Sequence, residues 1–274
     1  MGSATPLEHP PRPSQASRLI TFDTAQLSQW YGSLFWPLTR VLALLAIAPV
    51  LSHQAIPIRA KVGIALAIAL AIAPVVGAPP LTGVLEAHGF VSLARNILVG
   101  LALGFAVRLV FVGIELAGQM IGLQIGLGFA AFFNPDSGQS ENVVSSFLAM
   151  LTLLMFLAVD GHLILLSALV ESFRVFPVEA AGGSPIDALA MVRAAGDVFA
   201  IALTISLPIL AVMLLVNVVL GVMARIAPQL NLFAVGFPVT VLAGLAALVL
   251  FLPTLEAPMR AVLMKGLAAL PGAG

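Results

Sequence analysis

VFAIALTISLPILAVMLLVNVVLGVMA, residues 198–224, runs through RIAPQLN (225–231) into LFAVGFPVTVLAGLAALVLFLPTL (232–255), and the fold turns on this stretch. Arg225 is its one charged residue. A bilayer-crossing helix needs roughly 20 apolar residues, and each half exceeds that. Pro228 lacks an N–H and ends the preceding helical turn, while Gln229 and Asn231 supply side chains that solvate a loop. The C-terminal third therefore reads as a helical hairpin over about 196–252, with arms at 196–224 and 230–252.

Working outward, the same signal recurs in weaker form. Charge-free runs cover 41–58, 62–85, 116–135 and 142–159, punctuated by Pro49, Pro57, Pro74, Pro79 and Pro80. They predict further helical segments at 34–51, 60–76, 93–114 and 143–172, with a turn at Asp160-Gly161. No window alternates polar and apolar residues as a barrel strand must. The fold class is all-α: an integral membrane or membrane-associated chain of helical hairpins. Residues 1–20, rich in Pro and Ser, lack the apolar core of a signal peptide and read as a disordered tail. A single helical domain spans 21–265, and 266–274 form a short C-terminal tail.

Composition agrees. Hydrophobic residues make up 61 % of the 274 and charged residues 9 %, against about 25 % charged in soluble domains. That is too little polar surface to cover a water-facing exterior, so lipid or sister subunits must cover it. Twelve basic and twelve acidic side chains cancel, which removes the basic face expected of a nucleic-acid partner. The absence of cysteine excludes disulfides and thiolate ligands. His9, His53, His88 and His162 are scattered, none with a second ligand at helical metal spacing. No Gly-x-Ser-x-Gly elbow occurs. Catalytic residues, metal and cofactor are all expected to be absent.

Four groups of residues stand out. Gly118, Gly122 and Gly126 recur every fourth position, on one helix face where another backbone can approach closely. Gly126 and Gly128 then loosen the backbone ahead of Phe129, Phe132 and Phe133, which cluster before Asn134-Pro135. Rings gathered at a proline break suit a hydrophobic constriction that gates a pore by excluding water, and ordinary helix contact explains the glycines equally well. Arg108 and Glu115, seven apart, share a face two turns on; an intramembrane acid and base suit a proton relay, and a partner-facing or interfacial pair is the simpler reading. Arg193 and Asp197 are spaced as a helical surface pair. Gly100 and Gly104 read as helix-contact positions.

Taken together, FWPLTRVLALL (35–45), APVLS (48–52), IPIRAK (56–61), GQMIGLQIGLGFA (118–130), GHL (161–163) and APQLNLFAVGFP (227–238) resemble, in the same order, the FliR family, the R subunits of the bacterial flagellar type III export gate. The likeness runs from about Phe22 to Lys265. Asn134 stands where an Asp is usual in that family and Asp160 where an Asn is usual. The resemblance implies a non-enzymatic subunit of the channel through which unfolded flagellar proteins leave the cell. It implies assembly with P, Q and B subunits in the inner membrane and flagellar basal body, with slanted hairpins lying partly above the bilayer plane. It implies a channel plug at about 120–135, comprising Met120, Gly122, Gln124, Gly126, Gly128, Phe129, Phe132, Phe133, Asn134 and Pro135. Subunit contacts or intramembrane charges would fall at Arg40, Arg108, Glu115, Arg225, Pro228, Gln229, Asn231, Phe237 and Pro238. The equivalent subunit of a virulence injectisome and a proton-coupled transporter using Arg108 and Glu115 are the competing functions.

Overall fold

In the computed structural model, the described residues are 24–49, 57–77, 87–127, 142–178, 188–227 and 232–271, and among them the only regular structure is helix. In chain order the helices are α1 (Thr24–Ile47), α2 (Ile58–Val76), α3 (Ala87–Ile125), α4 (Val143–Ala158), α5 (Gly161–Val175), α6 (Ala188–Ile226) and α7 (Leu232–Ala268). By length and composition α2, α3, α6 and α7 can each cross a membrane, and the bent pair α4–α5 is a fifth candidate. The chain is thus an all-α integral membrane protein.

The central element is α3, whose sequence is apolar nearly all round but whose burial is not. Val99, Leu103, Val107, Val110, Ile114, Ala117, Ile121 and Ile125 are buried. They succeed one another at three or four residues, the helical repeat that puts them in one stripe. Two glycines let α1 come close: a Cβ at Gly100 would strike the Arg40 carbonyl oxygen, and one at Gly104 would lie 2.8 Å from that of Leu44. Gly113 faces Ile201 of α6, while Gly244 and Gly266 of α7 face Ile125 and Val110. Since Gly244 precedes Gly266 while Ile125 follows Val110, α7 runs antiparallel along the second half of α3.

α1 begins ten residues ahead of the expected 34 and α6 eight ahead of the expected 196, and three further departures each have a physical reason. The segment expected at 93–114 is 39 residues long, because Arg108 and Glu115 neutralise each other and do not interrupt the helix. Its length is roughly 58 Å at about 1.5 Å per residue, nearly twice the ~30 Å hydrocarbon core. The second arm of the hairpin does not stop at 252 but runs through Pro253 and Pro258 to Ala268. There it turns amphipathic: Leu255, Met259, Leu263 and Leu267 are buried, while Glu256, Arg260 and Lys265 are exposed. A search for charge-free runs misses such a helix.

The segment expected at 143–172 is two helices bent by 67°, and the turn falls where Asp160-Gly161 suggested it. Asp160 takes a left-handed conformation at φ 55°, ψ 29°, which Asp and Asn tolerate better than other side chains. Gly161 is needed beside it, since a Cβ there would lie 2.5 Å from the Phe156 ring. The tail at 1–20 lies outside the described residues, as does the 128–141 connection.

Candidate functional site

The glycine-rich segment forms a stem on which the connection at 128–141 is mounted. Met120, Gly122 and Gln124 occupy the last turns of α3, next in sequence to buried Ile121 or Ile125. Gly126 ends the helix. At φ 94° it donates its N–H to the Leu123 carbonyl at 3.1 Å, and Leu127 donates to the Gly122 carbonyl at 3.0 Å. This paired reverse bonding satisfies carbonyls that the helix end leaves open, and glycine is favoured at the left-handed position. So Gly126 is a helix stop, where the spacing alone suggested a loosened backbone.

The chain returns at Asn142, and it returns to the same place. Asn142 caps α4, its Oδ1 accepting from the Val144 N–H at 3.0 Å. Its Nδ2 donates to the Gln119 carbonyl oxygen at 3.3 Å. A Cβ on Gly122 would collide with the Asn142 side chain, and one on Gly118 would lie 2.5 Å from the Ser145 Cα. Ser145 closes the joint by donating its hydroxyl to the Glu115 carbonyl at 2.8 Å. The glycine face is therefore the seat of the α4 N-terminus, which brings both ends of the intervening connection together. Gly128, Phe129, Phe132, Phe133, Asn134 and Pro135 lie outside the described residues. Asn142 and Ser145 were missed in the sequence, although an Asn directly ahead of an apolar run is a helix-start signal.

Arg108 and Glu115 do meet, in a two-pronged contact: Nη1 to Oε1 at 3.2 Å and Nη2 to Oε2 at 3.1 Å. Their side chains stay 37 % and 25 % exposed. Arg193 and Asp197 are both exposed and form no ion pair among the described residues.

Arg40 takes part in neither the stem nor the ion pair. It is only 1 % exposed, inside the subunit where α1, α3 and α5 converge. Its Nε donates to Asn96 Oδ1 at 2.8 Å, Nη1 to Ser172 Oγ at 3.0 Å and Nη2 to the Phe176 carbonyl at 2.9 Å. Its guanidinium carbon sits 3.8 Å from the centre of the Phe173 ring. Phe176 is the residue that closes α5, so Arg40 places a cation where that helix's dipole favours one. Asn96 returns two bonds to α1, to the Trp36 carbonyl at 2.9 Å and the Thr39 hydroxyl at 2.6 Å. Asn96, Ser172 and Phe173 carry no sequence signal of their own, being tens of residues from Arg40.

At the hairpin, Arg225 is exposed in the last turn of α6, and Phe237 and Pro238 are exposed near the start of α7. Pro228, Gln229 and Asn231 lie outside the described residues. No three His, Asp or Glu side chains converge as metal ligands among the described residues.

The described residues thus gather into a glycine stem, a partly exposed ion pair and a buried arginine hub. Residues 31–265 match the family model described as bacterial export proteins, family 1. The flagellar biosynthetic protein FliR of Pectobacterium carotovorum is 41 % identical over 240 residues, 86 % of this chain and 90 % of the relative. That of Escherichia coli is 38 % identical over 238 residues with the same coverage, and that of Caulobacter vibrioides 32 % identical over 215 residues, 78 % and 85 %. From α1 to α7, the chain belongs to the FliR family of bacterial export proteins.

Proposed function

We propose that this chain is a structural subunit of the flagellar type III protein export gate, part of the inner-membrane channel through which unfolded flagellar proteins pass. The family match across residues 31–265 carries this reading. It acts without catalysis, its contribution being a shaped and sealed passage. Its companions are the P, Q and B subunits of the gate, seated on the apolar outer faces of α6 and α7, and Arg225, Phe237 and Pro238 belong to that contact region. Lipid covers what the companions leave. The injectisome and transporter readings gain no support from the relatives, which are flagellar proteins by name.

The plug in this reading is the connection that follows Gly126, with Met120, Gly122 and Gln124 in its stem. The stem supports this by holding Gly122 against Asn142, so that the plug stretch would start and end on one packed base. Phe129, Phe132 and Phe133 would then exclude water from the closed passage, since apolar constrictions gate by dewetting. Replacing all three with alanine should raise ion leakage through the assembled gate by severalfold without loss of assembly. Unchanged conductance in an intact complex removes the plug, and a deletion strain that stays motile removes the export role.

A further inference from the structure

The outward face of α3 is built from two incompatible materials. Phe90, Ile97, Leu98 and Leu123, the last 67 % exposed, are apolar. Between them, Arg108, Glu115 and Gln119 form a polar stripe spanning about 16 Å of helix, since positions seven and four apart share a face. Lipid cannot serve as the solvent for that stripe, because charged side chains within a membrane span face protein or water. A water-filled passage suits it no better, because it would wet the exposed phenylalanine and leucines beside it. A protein helix satisfies both parts at once. Intramembrane helices are joined by polar contacts set in an apolar surround.

The hydrogen-bond inventory says what that helix must offer. A guanidinium carries five N–H donors, and Arg108 uses two of them on Glu115. Gln119 gives its backbone carbonyl to Asn142, while its exposed side-chain amide has no partner among the described residues. Donors outnumber acceptors on this face. We infer that the Arg108–Glu115–Gln119 stripe is a docking surface for a helix of another gate subunit, one that presents carboxylate or amide oxygens within the apolar layer. The inference rests on the gate reading and adds to it a particular surface and the chemistry of its partner.

The absence of native cysteine allows a direct test. Gln119→Cys introduces a single thiol at an exposed position, to be labelled with a water-soluble maleimide in the chain alone and in the complex purified with the other gate subunits. Labelling at least ten-fold slower in the complex is expected. Equal rates in both preparations, whether fast from an open passage or slow from a detergent-covered face, overturn the docking surface. As a second measurement, Arg108→Gln combined with Glu115→Gln removes both charges without stranding either. It should leave the lone chain folded and lower recovery of the complex at least five-fold, and unchanged recovery overturns the inference. Failure of the native chain to copurify with any subunit overturns the gate reading and this inference together, whereas a readily labelled complex overturns the docking surface alone.

Discussion

Arg40 shows how far a side chain's role depends on what folds around it. Burying a cation is costly unless its donors are matched, and here three neutral acceptors from α3, α5 and the residue closing α5, with one aromatic face, do the matching. Cutting it to alanine strands those acceptors, at about 1–3 kcal/mol for each buried group left unsatisfied. A loss of about 3 kcal/mol corresponds to a fall on the order of 10 °C in the midpoint of thermal unfolding, readable from the fluorescence of nearby Trp36 in detergent. Arg40→Lys should recover only part of it, because one ammonium cannot reach in three directions with a planar fork. A midpoint within a degree or two of the native value in Arg40→Ala would show that the hub is dispensable. The FWPLTR motif marks the arginine, but its interior position was not legible, since every partner lies at least 56 residues away.

Among elements, the glycines of the long helices divide into two kinds that the sequence writes identically. Gly118 faces the Ser145 backbone, which cannot give way without moving α4, whereas Gly221 in α6 has open space where a Cβ would be. Gly118→Ala should therefore destabilise by about 1–3 kcal/mol, the usual cost of overfilling a close contact. Gly221→Ala should stabilise by roughly 0.5–1 kcal/mol, because alanine loses less backbone freedom in a helix interior. Thermal unfolding of the two variants side by side in one detergent checks the pair, and equal shifts of one sign would contradict it. The two long helices α6 and α7 were legible from two charge-free runs. The extension of α7 to Ala268 was not, because Pro253, Pro258 and three charges look like an end until the buried Leu255–Met259–Leu263–Leu267 stripe is seen.

For the whole molecule, surface area sets the terms. Leu214, Leu215 and Val218 of α6 and Leu242, Val249 and Leu250 of α7, large apolar side chains, are all exposed. Patches of this kind mark contact with lipid or protein. Removal of detergent from the isolated chain should send it into the pellet at high-speed centrifugation, and addition of the companion subunits should reduce the detergent it binds. A monodisperse, detergent-free chain in sizing chromatography would contradict the membrane assignment.

The amino-acid sequence by itself determined the class, the solvent and the kinship of this protein. Its scarcity of charge, its Pro-punctuated apolar runs and its ordered motifs are local properties, readable without knowing what touches what. Tertiary structure alone decided that Arg40 faces inward, that Gly126 stops a helix, that Gly118 and Gly122 seat Asn142 and Ser145, and that α3 runs unbroken past Arg108 and Glu115. Each depends on contacts between residues distant in the chain or on a backbone angle. In a sequence apolar on every side, periodicity cannot say which face of a helix is covered; only the neighbouring helices do.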